Sequence, residues 1–225
     1  QGRRWVVDGD IKDCYEGLDH RLLMDLVARD VHDRRVLQLI EAWLRAQVFN
    51  DLAGRDPAVG TFQGGVISPL LANIYLHYVL DLWFSRRVSR QSRGEAYYFR
   101  FADDFVACFQ YKGDAESFQG RLKERLEGFG LELAEEKTRC IEFGRFARRD
   151  AYRRGEKPKE FTFLGFTHYC GKTKIGYFKV KRRTSRKKLG QSLEEFTDWA
   201  KKARRVLRKG EMLRGARIRV LGHLS

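Results

Sequence analysis

An α+β fold, with a split βαβ antiparallel sheet and helices on one face, is what the order of periodicities in this chain predicts. Three observations carry it. Alternating apolar runs give way to helical periodicity and back in the order strand, helices, helix, hairpin, helix, strand. At the centre, "YYFRFADDFVACF" (97–109) sets two alternating runs on either side of Ala-Asp-Asp, the form of a tight hairpin. The 225 residues, 43% of them hydrophobic, are enough to bury a sheet against helices.

The elements follow in order. "RRWVVDGDI" reads as a first strand ending at Asp8 and Asp10. Residues 20–48 carry helical periodicity as two helices broken near His32 and Asp33. A glycine-containing loop, "NDLAGRDPAVGTFQGG", precedes "SPLLANIYLHYVLDLWFSRRV", a helix with Ser68 as N-cap and Pro69 at its first position. The hairpin reads as two half-buried strands whose apolar rows are Tyr97, Phe99, Phe101 and Phe105, Ala107, Phe109. "DAESFQGRLKERLEGFG" is an amphipathic helix closed near Gly130. "LELAEEKTRCIEFG" supplies one or two strands, and "EFTFLGFTHYC" with "KIGYFKV" a further pair. From Ser185 a basic helix runs into a poorly patterned end.

The net charge of +15 is unevenly placed. Residues 1–144 hold 20 Lys and Arg against 23 Asp and Glu, whereas residues 145–225 hold 25 against 7. Clustering of this kind favours a phosphate-binding surface over a merely solvated face. The interleaved aromatics Phe161, Phe163, Phe166, Tyr169, Tyr177 and Phe178 predict that this segment is folded. Cys14, Cys108, Cys140 and Cys170 have no metal-ligand spacing and read as reduced thiols of a cytoplasmic protein. No apolar run approaches the ~20 residues a bilayer requires.

In a split βαβ sheet the end of the first strand lies beside the turn of the central hairpin. Asp10 therefore meets Asp103, with Asp104 adjacent. An isolated Asp-Asp pair would be an ordinary turn, but three converging carboxylates repel one another unless a cation holds them. Oxygen-only ligands select Mg²⁺ or Mn²⁺, and two such ions about 4 Å apart can activate a 3′-hydroxyl and stabilise a pyrophosphate leaving group.

These motifs resemble those of group II intron-type reverse transcriptases, five in order over most of the chain. "VVDGDIKDCYEGLDHRLL" is similar to the first catalytic motif, "GTFQGGVISPLLANIYLHYVLD" to the Gln-Gly-Gly loop and its helix, and "YFRFADDFV" to the Tyr-Ala-Asp-Asp motif. "GLELAEEKT" and "FTFLGF" resemble the two elements beyond. The resemblance implies a polymerase palm followed by a basic, largely helical partial thumb: palm over 1–144, connecting strands over 145–184 and thumb over 185–225. It implies Asp10, Asp103 and Asp104 as catalytic residues and ligands of two Mg²⁺ or Mn²⁺ ions, with the Ile11 carbonyl completing the shell. Tyr15 matches the aromatic that excludes a 2′-hydroxyl. Gln63 matches the residue that contacts the incoming nucleotide, Gly64 and Gly65 allow close backbone approach, and Lys137 matches a lysine near the site. Asp8 and Asp13 are solvated or structural rather than catalytic. Lys179, Lys181, Arg182, Arg183, Arg186, Lys187 and Lys188 would grip nucleic-acid backbone.

Phe101 stands where the family usually has Tyr, Phe62 where it has Pro, and Asp13 and Cys14 where it often has Gly and Phe. None of these removes a metal ligand. The family's fingers would lie upstream of Gln1, so this chain by itself is expected to polymerise weakly or not at all. The implied activity is RNA-directed DNA polymerisation with an RNA template, a DNA or RNA primer and deoxynucleoside triphosphates. Intron RNA is a further candidate partner. The alternatives are a polymerase-fold RNA-binding module with weak or lost catalysis, and a nucleotide cyclase on the same palm topology. Tyr15 and the Gln-Gly-Gly loop favour the polymerase.

Overall fold

The first strand is split at Asp10. In the computed structural model, which describes residues 5–49 and 67–224, β1 (Trp5–Gly9) stops one residue short of it and β2 (Ile11–Lys12) starts one residue beyond. Helices α1 (His20–Val27) and α2 (Arg34–Phe49) are separated at the expected place. Asp19 caps α1, its Oδ1 accepting from the Leu22 N–H at 2.8 Å. Helix α3 (Ser68–Leu76) continues through two π-helical turns, His77–Asp81 and Phe84–Val88, into α4 (Ser89–Gln91). Ser68 is not the N-cap. Ile67 holds that position, and Ser68 is already helical, its buried hydroxyl without a hydrogen-bond partner among the described residues.

The hairpin strands are β3 (Ala96–Phe101) and β4 (Asp104–Phe109), followed by α5 (Lys112–Glu127). Gly130, at φ +70°, ends this helix as expected: its N–H donates to Glu127 O and the Leu131 N–H to Leu126 O, a Schellman pair. Next come β5 (Glu132–Leu133), paired with β2, and β6 (Arg139–Glu142). The main sheet has the order β3-β4-β1-β6, antiparallel throughout. That is the split βαβ topology, with each helical connection crossing one strand.

The sheet's inner face carries Val7, Phe105, Ala107 and Phe109 against Leu71, Tyr75, Val79 and Phe84 of the long helix and Phe118, Leu122 and Leu126 of α5. Parity in the hairpin differs from the expectation. Phe105, Ala107 and Phe109 are buried, but Tyr97, Phe99 and Phe101 are exposed (40, 56 and 66%). The two-residue connection pairs Phe101 with Asp104, Arg100 with Phe105 and Tyr98 with Ala107. Paired residues share a face, so the register that buries the β4 row turns Tyr98 and Arg100 inward. Tyr98 there stacks on Phe84, ring centroids 5.0 Å apart.

The opposite face is covered too. Helix α6 (Ala147–Arg153) and strands β7 (Phe161–Phe163), β8 (Phe166–Lys172) and β9 (Phe178–Thr184) follow, the strands forming a second antiparallel sheet. Val6, Val106 and Ile141 pack there against Phe143, Ala147, Phe161 and Cys170. "EFTFLGFTHYC" is thus two strands rather than one. Leu164 and Gly165, both at positive φ (+52° and +77°), make a two-residue turn between them. Ser185, accepting from the Lys188 N–H, caps α7 (Arg186–Val206). The poorly patterned end is a further helix, α8 (Lys209–Leu224), packed on α7 where Gly215 sits against the Trp199 ring and Arg219 lies over it.

Candidate functional site

The register between β1 and β4 ends at Gly9 opposite Phe105, so Asp10 and Asp104 are the next residues out at neighbouring strand ends. Gly9 has no side chain because the Phe105 ring occupies the place of its Cβ. Phe105 packing thereby fixes the strand end from which Asp10 projects. The backbone carbonyl of Asp10 accepts from the Ala134 N–H at 3.0 Å, and its Oδ2 accepts from Lys137 Nζ at 2.7 Å. Lys137, predicted to lie near the site, is the ammonium that compensates Asp10.

Asp103 and Asp104 leave the hairpin at a turn whose first residue, Ala102, has φ +53°. This left-handed conformation is unfavourable for a residue with a Cβ. Burial, and next the Asp8 carboxylate, push the Asp104 carboxyl up to about 6; Asp10 and Asp103 add to the shift, while the Leu164 backbone amide opposes it. The β7–β8 turn therefore reaches the acids. Asp8, read as solvated or structural, is structural: it is buried and paired with Arg139 at 2.8 Å across the β1–β6 ladder. Burial outweighs that partner and raises its carboxyl above the ordinary value. Asp13 shapes the following turn at φ +42°, its carbonyl accepting from the Glu16 and Gly17 amides.

Ile11 opens β2 and is buried. Burial and then the Asp103 carboxylate raise the Tyr15 hydroxyl above its ordinary value. The buried Cys14 thiol is pushed up to about 12 by burial and next by Asp103. The turn after β2 thus lies within reach of the Asp103 charge. Gln63, Gly64 and Gly65 lie outside the described residues.

The carboxylates are neighbours at one end of the sheet, yet no three His, Cys, Asp or Glu side chains among the described residues are gathered closely enough to hold a metal ion as they stand. Two of the acids have partners of their own: Lys137 at Asp10 and the Leu164 amide at Asp104. The donor set still suits a hard divalent cation. It is oxygen only, and Asp104, raised first by burial and then by the charges of Asp8, Asp10 and Asp103, lies among carboxylates whose repulsion such a cation would relieve.

One residue the sequence reading passed over lies behind the turn. The Arg100 guanidinium is held by both Asp81 oxygens and donates to the Ala102 carbonyl. No local signal marked it, because the aromatic row Tyr97, Phe99 and Phe101 put Arg100 on the parity read as outward. The basic residues of β9 and α7 are exposed, but not equally available. Arg183 holds Glu160 through Nη2 at 2.6 and 2.9 Å, and Arg182 and Lys188 lie over the Phe166 ring. Among the described residues no helix is long and apolar enough to cross a membrane.

Known proteins share the family and the fold. The family model "Reverse transcriptase (RNA-dependent DNA polymerase)" matches residues 1–168. The group II intron-encoded protein LtrA of Lactococcus lactis subsp. cremoris is 45% identical over 85 residues, 36% of this chain and 14% of LtrA. Protein YkfC of Escherichia coli K12 is 32% identical over 163 residues, 60% of this chain and 43% of YkfC. The chain thus spans less than half the length of these curated relatives. A C-terminally truncated apo telomerase from Candida tropicalis shares the fold with a TM-score of 0.59 at 16% identity, over 81% of this chain and 36% of that one. Telomerase from Candida albicans, solved with a fragment of telomeric RNA, gives 0.54 at 14% identity, over 82% and 31%. With the family model matching well over half of its length, the chain belongs to the reverse transcriptase family, in its group II intron-like branch.

Proposed function

We propose that this chain is the catalytic palm of an RNA-directed DNA polymerase, extending a DNA or RNA primer along an RNA template with deoxynucleoside triphosphates. The observation that carries the proposal is the placement of Asp10, Asp103 and Asp104 at neighbouring strand ends beside Tyr15 and Lys137. Asp10 and Asp103 would hold two Mg²⁺ or Mn²⁺ ions with the Ile11 carbonyl, Asp104 acting as a weaker ligand. Those ions supply activation of the 3′-hydroxyl and neutralisation of the leaving pyrophosphate. Lys137, exposed and already bound to a carboxylate, would turn to the triphosphate as the ions replace it at Asp10. The Tyr15 ring would bound the sugar pocket, while Gln63, Gly64 and Gly65 would line the nucleotide from the segment outside the described residues.

Residues 1–144 are the palm in this proposal, 145–184 the connecting strands and 185–225 the start of a basic thumb. Lys179, Lys181, Arg186 and Lys187 are best placed to contact phosphates, with Arg182, Arg183 and Lys188 tied to the scaffold. The test is primer extension on an RNA template alongside duplex binding in EDTA. Asp103→Asn is expected to abolish incorporation and leave the EDTA affinity unchanged, because it removes a metal ligand and no phosphate contact. Incorporation equal to wild type in Asp103→Asn overturns the assignment. Duplex binding by the wild-type chain with no incorporation in any context would instead favour an RNA-binding module.

A further inference from the structure

One guanidinium ties the long helix to the turn that carries Asp103. Arg100 is the last inward residue of β3, and its side chain is 8% exposed. Nε and Nη2 donate to the two Asp81 oxygens at 2.8 and 2.7 Å. Nη1 donates to Asn73 Oδ1 at 2.9 Å and to the Ala102 carbonyl at 2.8 Å.

Asn73 and Asp81 meet this group because the helix is not regular between them. Eight residues apart on an α-helix, they would point about 80° away from each other. The π-helical turn His77–Asp81, in which the Leu82 N–H reaches back to the His77 carbonyl, absorbs one residue. Asp81 then takes the angular place of a seventh residue, about 20° from Asn73. Arg125, from α5, donates to the carbonyls of Val79 and Tyr78 at 3.0 and 3.3 Å and so braces the same turn.

The other end of the device is Ala102, at φ +53°. Left alone, a two-residue hairpin connection without glycine would relax from that conformation. The Arg100 bond holds the Ala102 carbonyl, and hence the peptide plane leading into Asp103. We propose that Arg100, seated between Asp81 and Asn73 by the π turn, is a positioning residue that fixes the Ala102–Asp103 peptide and thereby aims the Asp103 carboxylate. This rests on Asp103 being a divalent-cation ligand.

The test uses the double variant Arg100→Met/Asp81→Leu in the full chain. Apolar replacement of both partners leaves no unpaired buried charge, so the fold is expected to survive. Mn²⁺ binding, followed by electron paramagnetic resonance of the free ion, should weaken about tenfold, as when groups that orient a metal ligand are removed. Amide exchange at Asp103 and Asp104 should speed by a similar factor of about ten while the melting temperature holds. Should the double variant melt early, Arg100→Lys carries the same test, since it keeps a countercharge for Asp81 but gives up the fork that reaches Ala102. Wild-type Mn²⁺ affinity and wild-type exchange in these variants overturn the positioning role. Unaltered Mn²⁺ binding in Asp103→Asn would overturn the metal assignment instead, and the exchange rates would still decide whether Arg100 holds the turn.

Discussion

The Asp103 charge reaches the Tyr15 hydroxyl and the Cys14 thiol, each raised first by burial and then by Asp103, while Lys137 is raised first by its bond to Asp10. On the proposed function, the Tyr15 ring would bound the sugar of a nucleotide held at the acids. In a polymerising form of the protein, Tyr15→Ala should lower discrimination against ribonucleotides by about tenfold or more, as loss of a shape-excluding contact does. Unchanged ratios of ribo- to deoxynucleotide incorporation would remove Tyr15 from that role. A second residue-scale prediction concerns His168, stacked on Phe161 with centroids 5.0 Å apart. Burial and then the Arg182 charge lower its pKa below the ordinary 6.5. The fold thus prefers the neutral ring, and this contribution to stability is complete above about 6.5 and lost as pH falls through the lowered value. Urea midpoints measured at pH 7.5 and pH 5 should separate further for wild type than for His168→Phe. Equal separations would mean that His168 titrates as it does in the unfolded chain.

Elements here end where local chemistry allows, and much of that was legible. Gly130 in "GFG" closes α5, and the break between α1 and α2 falls near His32 and Asp33 as the pattern predicts. Replacing Gly130 by Ala should cost about 1 kcal/mol, since φ +70° is uncomfortable for any residue with a Cβ. The added methyl would lie 3.6 Å from the nearest atom, the Gly17 carbonyl, so the cost is conformational rather than a clash. A urea melt with an unshifted midpoint would show that the α5 end relaxes freely. Less legible were the π-helical turns of the long helix, which leave its apolar pattern intact and declare themselves only through the partners they align. The parity of β3 was hidden for a related reason. Both of its faces carry aromatics, and the register of the hairpin, set by a two-residue turn, decides which row is inside.

At the scale of the molecule the charge split coincides with architecture. The main sheet and its helices hold the acids, while β7 to β9, α7 and α8 carry the excess of Lys and Arg on a folded scaffold. If about four to six phosphates are neutralised there, log K for duplex should fall by roughly four to five per decade of salt. Reversing Lys179, Lys181 and Lys187 to Glu should weaken binding across all sequences alike, because phosphate contacts carry no sequence information. Arg183 is excluded from that set, since Glu160 already holds it. Salt-independent binding would mean that the basic face is only solvated.

The sequence by itself determined the element order, the antiparallel split βαβ sheet and the place of the basic body. Each of these follows from periodicity, turn chemistry and composition, which act over a few residues. Only the tertiary structure decided that Lys137 is the countercharge of Asp10, that Asp8 is spent on Arg139 and that Arg100 reaches from Asp81 to Ala102. Those pairs join residues up to 131 positions apart. Which charges meet at such separations is set by strand register and helix phase, and neither is written in any local stretch of the chain.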